Sequence, residues 1–507
     1  MPSLDPDACY RALQTHDARF DGAFFTGVTS TGIYCRPVCR VKTPRRENCR
    51  FFPHAAQAEA AGFRPCLRCR PELAPGALTW SATDAAPLLV QHALRLLQAS
   101  ASDASDASAP RIAALAARLG VSERHLRRVF EAELGVSPLA WLQTQRLLLA
   151  KQLLADTALP VAQVALAAGF ASVRAFNAAF AAHYGLKPTQ LRRAGHTDAA
   201  PAHTPADNAL CLHLSWRPPY DVDALLAFFA ARQIDGVESV NPATRTLSRS
   251  LQLPSSDATH PPLTGWLACT FDEARHRVRL RVAPALAAAL PQVLARVRAW
   301  LDLDADPAAI HAVLGADFPH GAGLRVPGTL CGFELAVRAV LGQQVTVAAA
   351  RTLTTRLAAA LGKRADTPID GVHLHFPTPA ALAAASGEQL GQLGITRQRQ
   401  AAVQALARAV AAGQLALHPG ADVPATVAAL QALPGIGEWT AQYIALRALR
   451  WPDALPAGDV ALHRALGLHP PHAAKQAEAA CAHWRPWRGY GLIRAWHALP
   501  PAPQPSA

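Results

Sequence analysis

Leu433-Pro434-Gly435-Ile436-Gly437 opens a stretch, LPGIGEWTAQYIALRALRWPDALPAGD, that ends at Asp459. Two glycines flank one apolar residue between two helical patterns. Glycine lets the backbone turn tightly and come close to another backbone. The helix that follows presents free N–H groups at its start, which suit a phosphate. Asp459 arrives after a loop containing Pro and Gly. The residues alone fit either a helical hairpin turn with a capping Asp or a phosphate-binding hairpin with a carboxylate nearby.

The flanks bear on that choice. LPGIG-x-x-TA followed by Asp459 resembles the helix-hairpin-helix glycosylases of base-excision repair. GFELAVRAVLGQQVTVAAA at 332–350, WRPWRGYGLIRAW at 484–496 and LSWRPPYDVDALLAFFAARQIDGVE at 214–238 resemble one branch of them, the AlkA-type 3-methyladenine DNA glycosylases. Together the matching stretches cover most of 209–500. Such enzymes flip a damaged base out of the duplex and cut its glycosidic bond. The resemblance implies an aromatic pocket for a cationic base at Trp439, Tyr443 and Trp496, since aromatic faces attract cations. Ordinary core packing is the other use of these rings. It implies Asp459 as the anion that stabilises an oxocarbenium ion and orients water; helix N-cap is the other role such an Asp takes.

The resemblance also implies that Leu433, Gly435, Ile436 and Gly437 form the hairpin that binds DNA phosphate, with a monovalent cation on its carbonyls. Related bifunctional enzymes carry a Schiff-base Lys where this chain has Trp439, so no strand cleavage is expected. Only Cys481 follows the hairpin, which excludes an iron–sulfur cluster there. Two positions depart from the pattern. The intercalating wedge, usually Leu, falls on Gln344, and a second Asp often found before the catalytic one is Gly458.

The chain has 507 residues, enough for three or four domains, and a formal net charge of +13. Residues 1–75 carry 11 Lys/Arg against 7 Asp/Glu, and residues 111–193 carry 11 against 4. A basic front half favours a polyanion, whose counterions are released on binding. No apolar run is long enough for a membrane span and no secretory h-region opens the chain. A cytoplasmic bacterial protein with no membrane partner is expected.

Four of the ten cysteines form two close pairs, Cys35/Cys39 and Cys66/Cys69. That spacing suits one tetrahedral Zn²⁺, in a structural ribbon or in a reactive centre. TGIYCRPVC and FRPCLRC around them resemble the metal-binding domain of Ada, which repairs methyl phosphotriesters. The resemblance implies that Cys35 accepts the methyl group while Cys39, Cys66 and Cys69 complete the zinc site. It places DNA contacts at Thr31, Arg40, Lys42 and Arg64; Lys42 stands where the family usually has Arg. Methylation would turn a dianionic zinc-tetrathiolate into a monoanion, and DNA affinity would rise.

Between 111 and 193, apolar residues recur at three and four spacings in two helix-turn-helix patterns, 112–130 and 161–180. An amphipathic helix near 138–154 joins them. GF-x-S, F-x-x-x-F and the closing GLKPTQLRR resemble the AraC-type DNA-binding domain. Groove contacts are then expected from Arg124, Arg127, Arg128, Arg174 and Asn177, as base or as phosphate contacts. The Ala/Ser/Asp run near 100–110 and residues 194–208 read as linkers. Residues 209–282 alternate like half-buried strands around a helix at 222–232.

The expected fold is multidomain and mainly α. Residues 1–75 form a four-cysteine zinc domain and 84–193 a double helix-turn-helix. Residues 209–282 form a small α+β subdomain, and 283–500 a body helical throughout. The expected function is a 3-methyladenine glycosylase fused to a methyl-sensing transcriptional regulator. Double-stranded DNA, damaged or promoter, is the partner, with RNA polymerase contacted at the promoter. The alternative is a regulator whose glycosylase half only binds DNA. Direct O6-methylguanine transfer is excluded, because no second Pro-Cys-His-Arg cysteine exists.

Overall fold

The computed structural model describes residues 4–76, 89–97 apart from 91 and 95, 112–195, 209–253 and 262–499. The chain packs as two compact units. One holds Met1–Pro218, Leu251–Arg298 and Leu303–Asp306; the other holds Pro219–Ser250, Ala299–Asp302 and Pro307–Ala507.

In the first unit the cysteines sit on a four-stranded sheet. Its strands run Cys49–Phe52, Phe25–Val28, Ile33–Cys35, Arg64–Pro65 across the sheet. The first three are antiparallel and the last is parallel to its neighbour. Gly32, at φ 65°, closes the turn between Phe25–Val28 and Ile33–Cys35, a conformation that favours glycine. Tyr34 pairs with Pro65, and the Cys66 N–H donates to the Tyr34 carbonyl at 2.9 Å. That register brings the second cysteine pair beside the first.

Six helices follow, from Ile112–Arg118 to Pro188–Gly195. Ser122, Ser137 and Ser172 each accept an N–H three residues on, which caps an otherwise unsatisfied helix start. Gly135 and Gly185 end two of the helices in the left-handed conformation. Leu126 and Phe130 of one motif, and Phe176 and Phe180 of the other, are fully buried at the expected spacing. Ahead of these helices, the described residues 89, 90, 92–94, 96 and 97 are helical. The expected linker at 100–110 lies outside the described residues, as do 196–208 of the one expected at 194–208, whose residues 194 and 195 instead end the helix Pro188–Gly195.

The strand Arg277–Val282 pairs antiparallel with both Leu210–Ser215 and Leu263–Asp272. Val278, Leu280 and Val282 are buried, whereas Arg277, Arg279 and Arg281 are not. This is the period-two pattern of a sheet with one wet face.

The second unit is built around the helix Gly332–Leu341, buried along most of its length. It packs on Arg397–Ala411 and Glu438–Arg447. One departure from an all-helical body is a short antiparallel pair, Lys363–Arg364 with Leu374–His375. A Cβ at Gly362 would lie 2.4 Å from the His375 carbonyl, so glycine is what lets the two segments close.

Candidate active site and metal centre

Asp459 is 7% exposed and heads the helix Val460–Ala465. Its Oδ1 accepts the Leu462 N–H at 2.8 Å and the Trp496 indole N–H at 2.9 Å. Its Oδ2 accepts the Trp439 indole N–H at 2.9 Å. The N-cap role and the pocket role therefore fall on the same carboxylate. The cap fixes one oxygen, and two aromatic donors fix the plane.

Trp439 and Tyr443 stack with ring centres 5.1 Å apart and 9° between planes; Tyr443 and Trp496 lie 6.4 Å apart at 39°. The three rings and Asp459 thus form one cluster. Arg447, which the sequence reading missed, donates to the Tyr443 hydroxyl. Burial works against ionising that hydroxyl, but Arg447 and Arg232 bring it below the usual phenol range. The signal was present as the i,i+4 spacing of Tyr443 and Arg447.

The hairpin turns at Gly435, whose φ of 75° is left-handed; Gly437 has an ordinary φ of −87° and caps the helix Glu438–Arg447. Ile436 is buried as the hairpin's anchor, and Leu433 is half-buried. Gln343 is a second residue the sequence reading missed. Its amide donates to the Gly435 carbonyl at 2.8 Å and to the Thr440 hydroxyl at 3.0 Å. Gln344, the wedge candidate, is exposed and left-handed at φ 54°. A non-glycine residue held there is uncommon.

In the first unit the sulfurs of Cys35, Cys39, Cys66 and Cys69 all lie within 4.8 Å of one another. Zn–S bonds of about 2.3 Å put tetrahedral sulfurs about 3.8 Å apart, so the cluster fits one zinc ion. Hydrogen bonds from Cys39 and Cys66 push the Cys35 thiol up, while those from Cys35, Cys39 and Cys69 pull Cys66 down. Four crowded thiols thus share their protons, and a divalent cation is what allows all four to ionise together. Arg36 braces the centre. Its N–H approaches Cys69 Sγ at 3.4 Å and its side chain forms a buried ion pair with Asp21.

Thr31, Arg40, Lys42 and Arg64 are exposed, and Arg64 donates to the Tyr184 carbonyl at 3.4 Å. Arg124, Arg127, Arg128, Arg174 and Asn177 are exposed as well. Arg127 pairs with Glu123 at 2.6 Å, and Arg128 reaches the His125 ring at 3.2 Å. Arg124, Arg127 and Arg128 share one surface with Glu123 and Glu131.

Four family models match the chain. They are the metal binding domain of Ada at 8–72, a helix-turn-helix domain at 115–194, the AlkA N-terminal domain at 211–330, and the HhH-GPD superfamily of base excision DNA repair proteins at 337–487. A Mycobacterium tuberculosis protein named "Probable bifunctional transcriptional activator/DNA repair enzyme AlkA" is 38% identical over 98% of this chain and 97% of its own. This chain belongs to the Ada/AlkA fusion family. Within it, 285 residues are 36% identical to DNA-3-methyladenine glycosylase 2 of Escherichia coli, covering 56% of this chain and 96% of that one. The bifunctional transcriptional activator/DNA repair enzyme Ada of Escherichia coli is 38% identical over 28% of this chain and 37% of its own. The four cysteines of the Ada/AlkA chain form its zinc centre. Among the described residues no helix is long and apolar enough to cross a membrane.

Proposed function

We propose that the chain repairs alkylated DNA at two sites and controls transcription of that response. One site hydrolyses the glycosidic bond of 3-methyladenine and related bases, with Asp459 as its anion. The other moves a phosphotriester methyl group onto Cys35. The observation that carries the reading is Asp459 held by three N–H donors beside three aromatic rings.

A base alkylated at N3 or N7 is cationic, so the leaving group needs no acid. Trp439 and Tyr443 already stack on each other, so the flipped base stacks on the pair from outside. The C1′–N bond breaks and its electron pair leaves with the base, which becomes neutral. Positive charge develops on the sugar. A carboxylate offers about four lone-pair directions. Three of those on Asp459 are taken, which leaves one for the developing charge. Water bonds to C1′ and loses its proton past Asp459 to solvent. With an indole at position 439 and no amine, the abasic sugar is left uncleaved.

At the other site, Cys35, Cys39, Cys66 and Cys69 would hold zinc, whose charge would keep the thiols ionised at neutral pH. Cys35 Sγ bonds to the methyl carbon, and the broken C–O pair stays on the phosphate as a diester. The thioether cannot return, so transfer is stoichiometric. Thr31, Arg40, Lys42 and Arg64 hold the phosphate backbone. The helices Glu123–Leu134 and Val173–Tyr184 enter major grooves and read a promoter with Arg124, Arg127, Arg128, Arg174 and Asn177, where the activator contacts RNA polymerase.

The test is release of free base from methylated duplex DNA by the wild type and Asp459→Asn. The wild type is expected to release 3-methyladenine and leave uncut abasic sites, and the variant to release none. A folded wild type that releases no base would make the helical half a DNA reader only.

A further inference from the structure

Arg217 follows the first strand of the sheet subdomain, in Trp216-Arg217-Pro218. Its residue is 2% exposed. Nε donates to the Asp21 carbonyl at 2.7 Å. Nη1 donates to the carbonyls of Asp304 and Ala305 at 2.9 and 3.1 Å, and Nη2 to those of Pro75 and Gly76 at 3.1 and 2.7 Å. A guanidinium has five N–H donors, and here five carbonyls from three separate segments receive them. Asp21, Pro75 and Gly76 belong to the front of the chain, around the zinc centre. Asp304 and Ala305 belong, with Arg217, to the AlkA-type part.

The segment Ala74–Gly76 is fastened at further points. The Gly76 N–H donates to Asp304 Oδ1 at 2.6 Å, and Arg298 reaches the Ala74 carbonyl at 3.3 Å while pairing with Asp304 at 2.6 Å. A Cβ at Gly22 would stand 2.0 Å from the Pro75 carbonyl, and Gly22 is left-handed at φ 72°. Only glycine lets the segment pass there. The contact is therefore built from backbone shape as well as from charge. Asp21 also links it to the methyl acceptor, because its carboxylate holds Arg36, the neighbour of Cys35.

We propose that the AlkA-type sheet subdomain is the docking surface for the zinc domain of the same chain, and that Arg217 is its pin. Its partner is the turn Phe20–Ala23 together with the strap Ala74–Gly76. The surface stands outside both chemistries, since Arg217 touches neither the four sulfurs nor Asp459 and its three rings. A charged side chain buried this fully is stable only while its partners stay in place, so docking and burial of Arg217 stand or fall together.

Hydrogen exchange read by mass spectrometry on the zinc-loaded full chain tests this. In the wild type, peptides covering Phe20–Ala23 and Ala74–Gly76 are expected to be protected. In Arg217→Gln both should exchange about ten-fold faster or more. The strand Leu263–Asp272, zinc content and base release should stay unchanged. Equal exchange in wild type and a variant that keeps zinc and base release would overturn the proposal. So would wild-type exchange of both segments at the rate of unstructured peptide. Asp304→Asn gives a second arm if Arg217→Gln does not fold. It should speed exchange at Ala74–Gly76 and leave Leu263–Asp272 unchanged; unchanged exchange at the strap counts against docking.

Discussion

The Asp459 carboxylate is defined by what it accepts. The Leu462 amide would hold it as a cap in any helix of this kind; the two indole N–H donors are particular to this pocket. Trp439→Phe and Trp496→Phe keep a ring for the base and remove one donor each. A hydrogen bond to a charged group is worth about 1.5–3 kcal/mol, or roughly 10–100-fold in rate if felt in the transition state. Single-turnover base release should fall by that factor in each variant, with little change in DNA affinity. A loss of affinity with the rate unchanged would mean that the rings only bind. The aromatic trio and Asp459 were named from the resemblance, and the structure does bring these four side chains together. Gln343 was not legible in the sequence. Its partner Gly435 is 92 residues away, and only the packing of Gly332–Leu341 on Glu438–Arg447 brings them together.

At the element scale the two hairpin glycines separate into different duties. Gly435 needs its left-handed φ, and a Cβ there would lie 3.1 Å from Ala402; Gly437 has an ordinary φ and open space around it. Gly435→Ala should therefore cost about 1–2 kcal/mol of stability and lower the Tm. Gly437→Ala should leave the Tm alone and, if the hairpin takes a phosphate as proposed, weaken binding to an abasic duplex, because its new methyl group would crowd the helix start. Thermal unfolding and DNA binding on both variants check this, and equal effects would refute the division. The motif announces two glycines and does not say which one bends. Helix starts are set by local chemistry: Ser122, Ser137 and Ser172 precede their helices and cap them. The pair Lys363–Arg364 and Leu374–His375 escaped, since two residues carry no periodicity.

At the scale of the molecule the order of motifs along the chain is not the order of packing. Residues 219–250 belong with the helical body. The buried quartet Arg249, Glu238, Glu334 and Arg338 shows why. Arg249 pairs with Glu238 at 3.1 Å and Glu334 at 2.5 Å, and Arg338 with the same two at 3.0 and 3.1 Å. Charges buried this deeply must be paired; Glu334 and Arg338 are an ordinary i,i+4 pair on one helix, but no reading along the sequence pairs Arg249 with Glu334 or Glu238 with Arg338, 85 and 100 residues apart. The division has a consequence for metal removal. Asp459, Trp439, Tyr443 and Trp496 all lie in the second unit, and the four cysteines all lie in the first. The apolar cluster beside the cysteines is small: Phe25, Tyr34, Ala55, Ala58 and Phe63, with Leu148 from the helix Pro138–Asp156. Structural zinc supplies about 10–16 kcal/mol in zinc-finger peptides, more than a core of that size provides. A strong chelator should therefore unfold the sheet around Cys35, seen as lost exchange protection at Phe25–Val28, and abolish methyl transfer to Cys35. Base release from methylated DNA should stay within about two-fold of the untreated rate, because no group in that pocket depends on the metal. A parallel loss of both activities would show that the glycosylase needs the zinc domain folded.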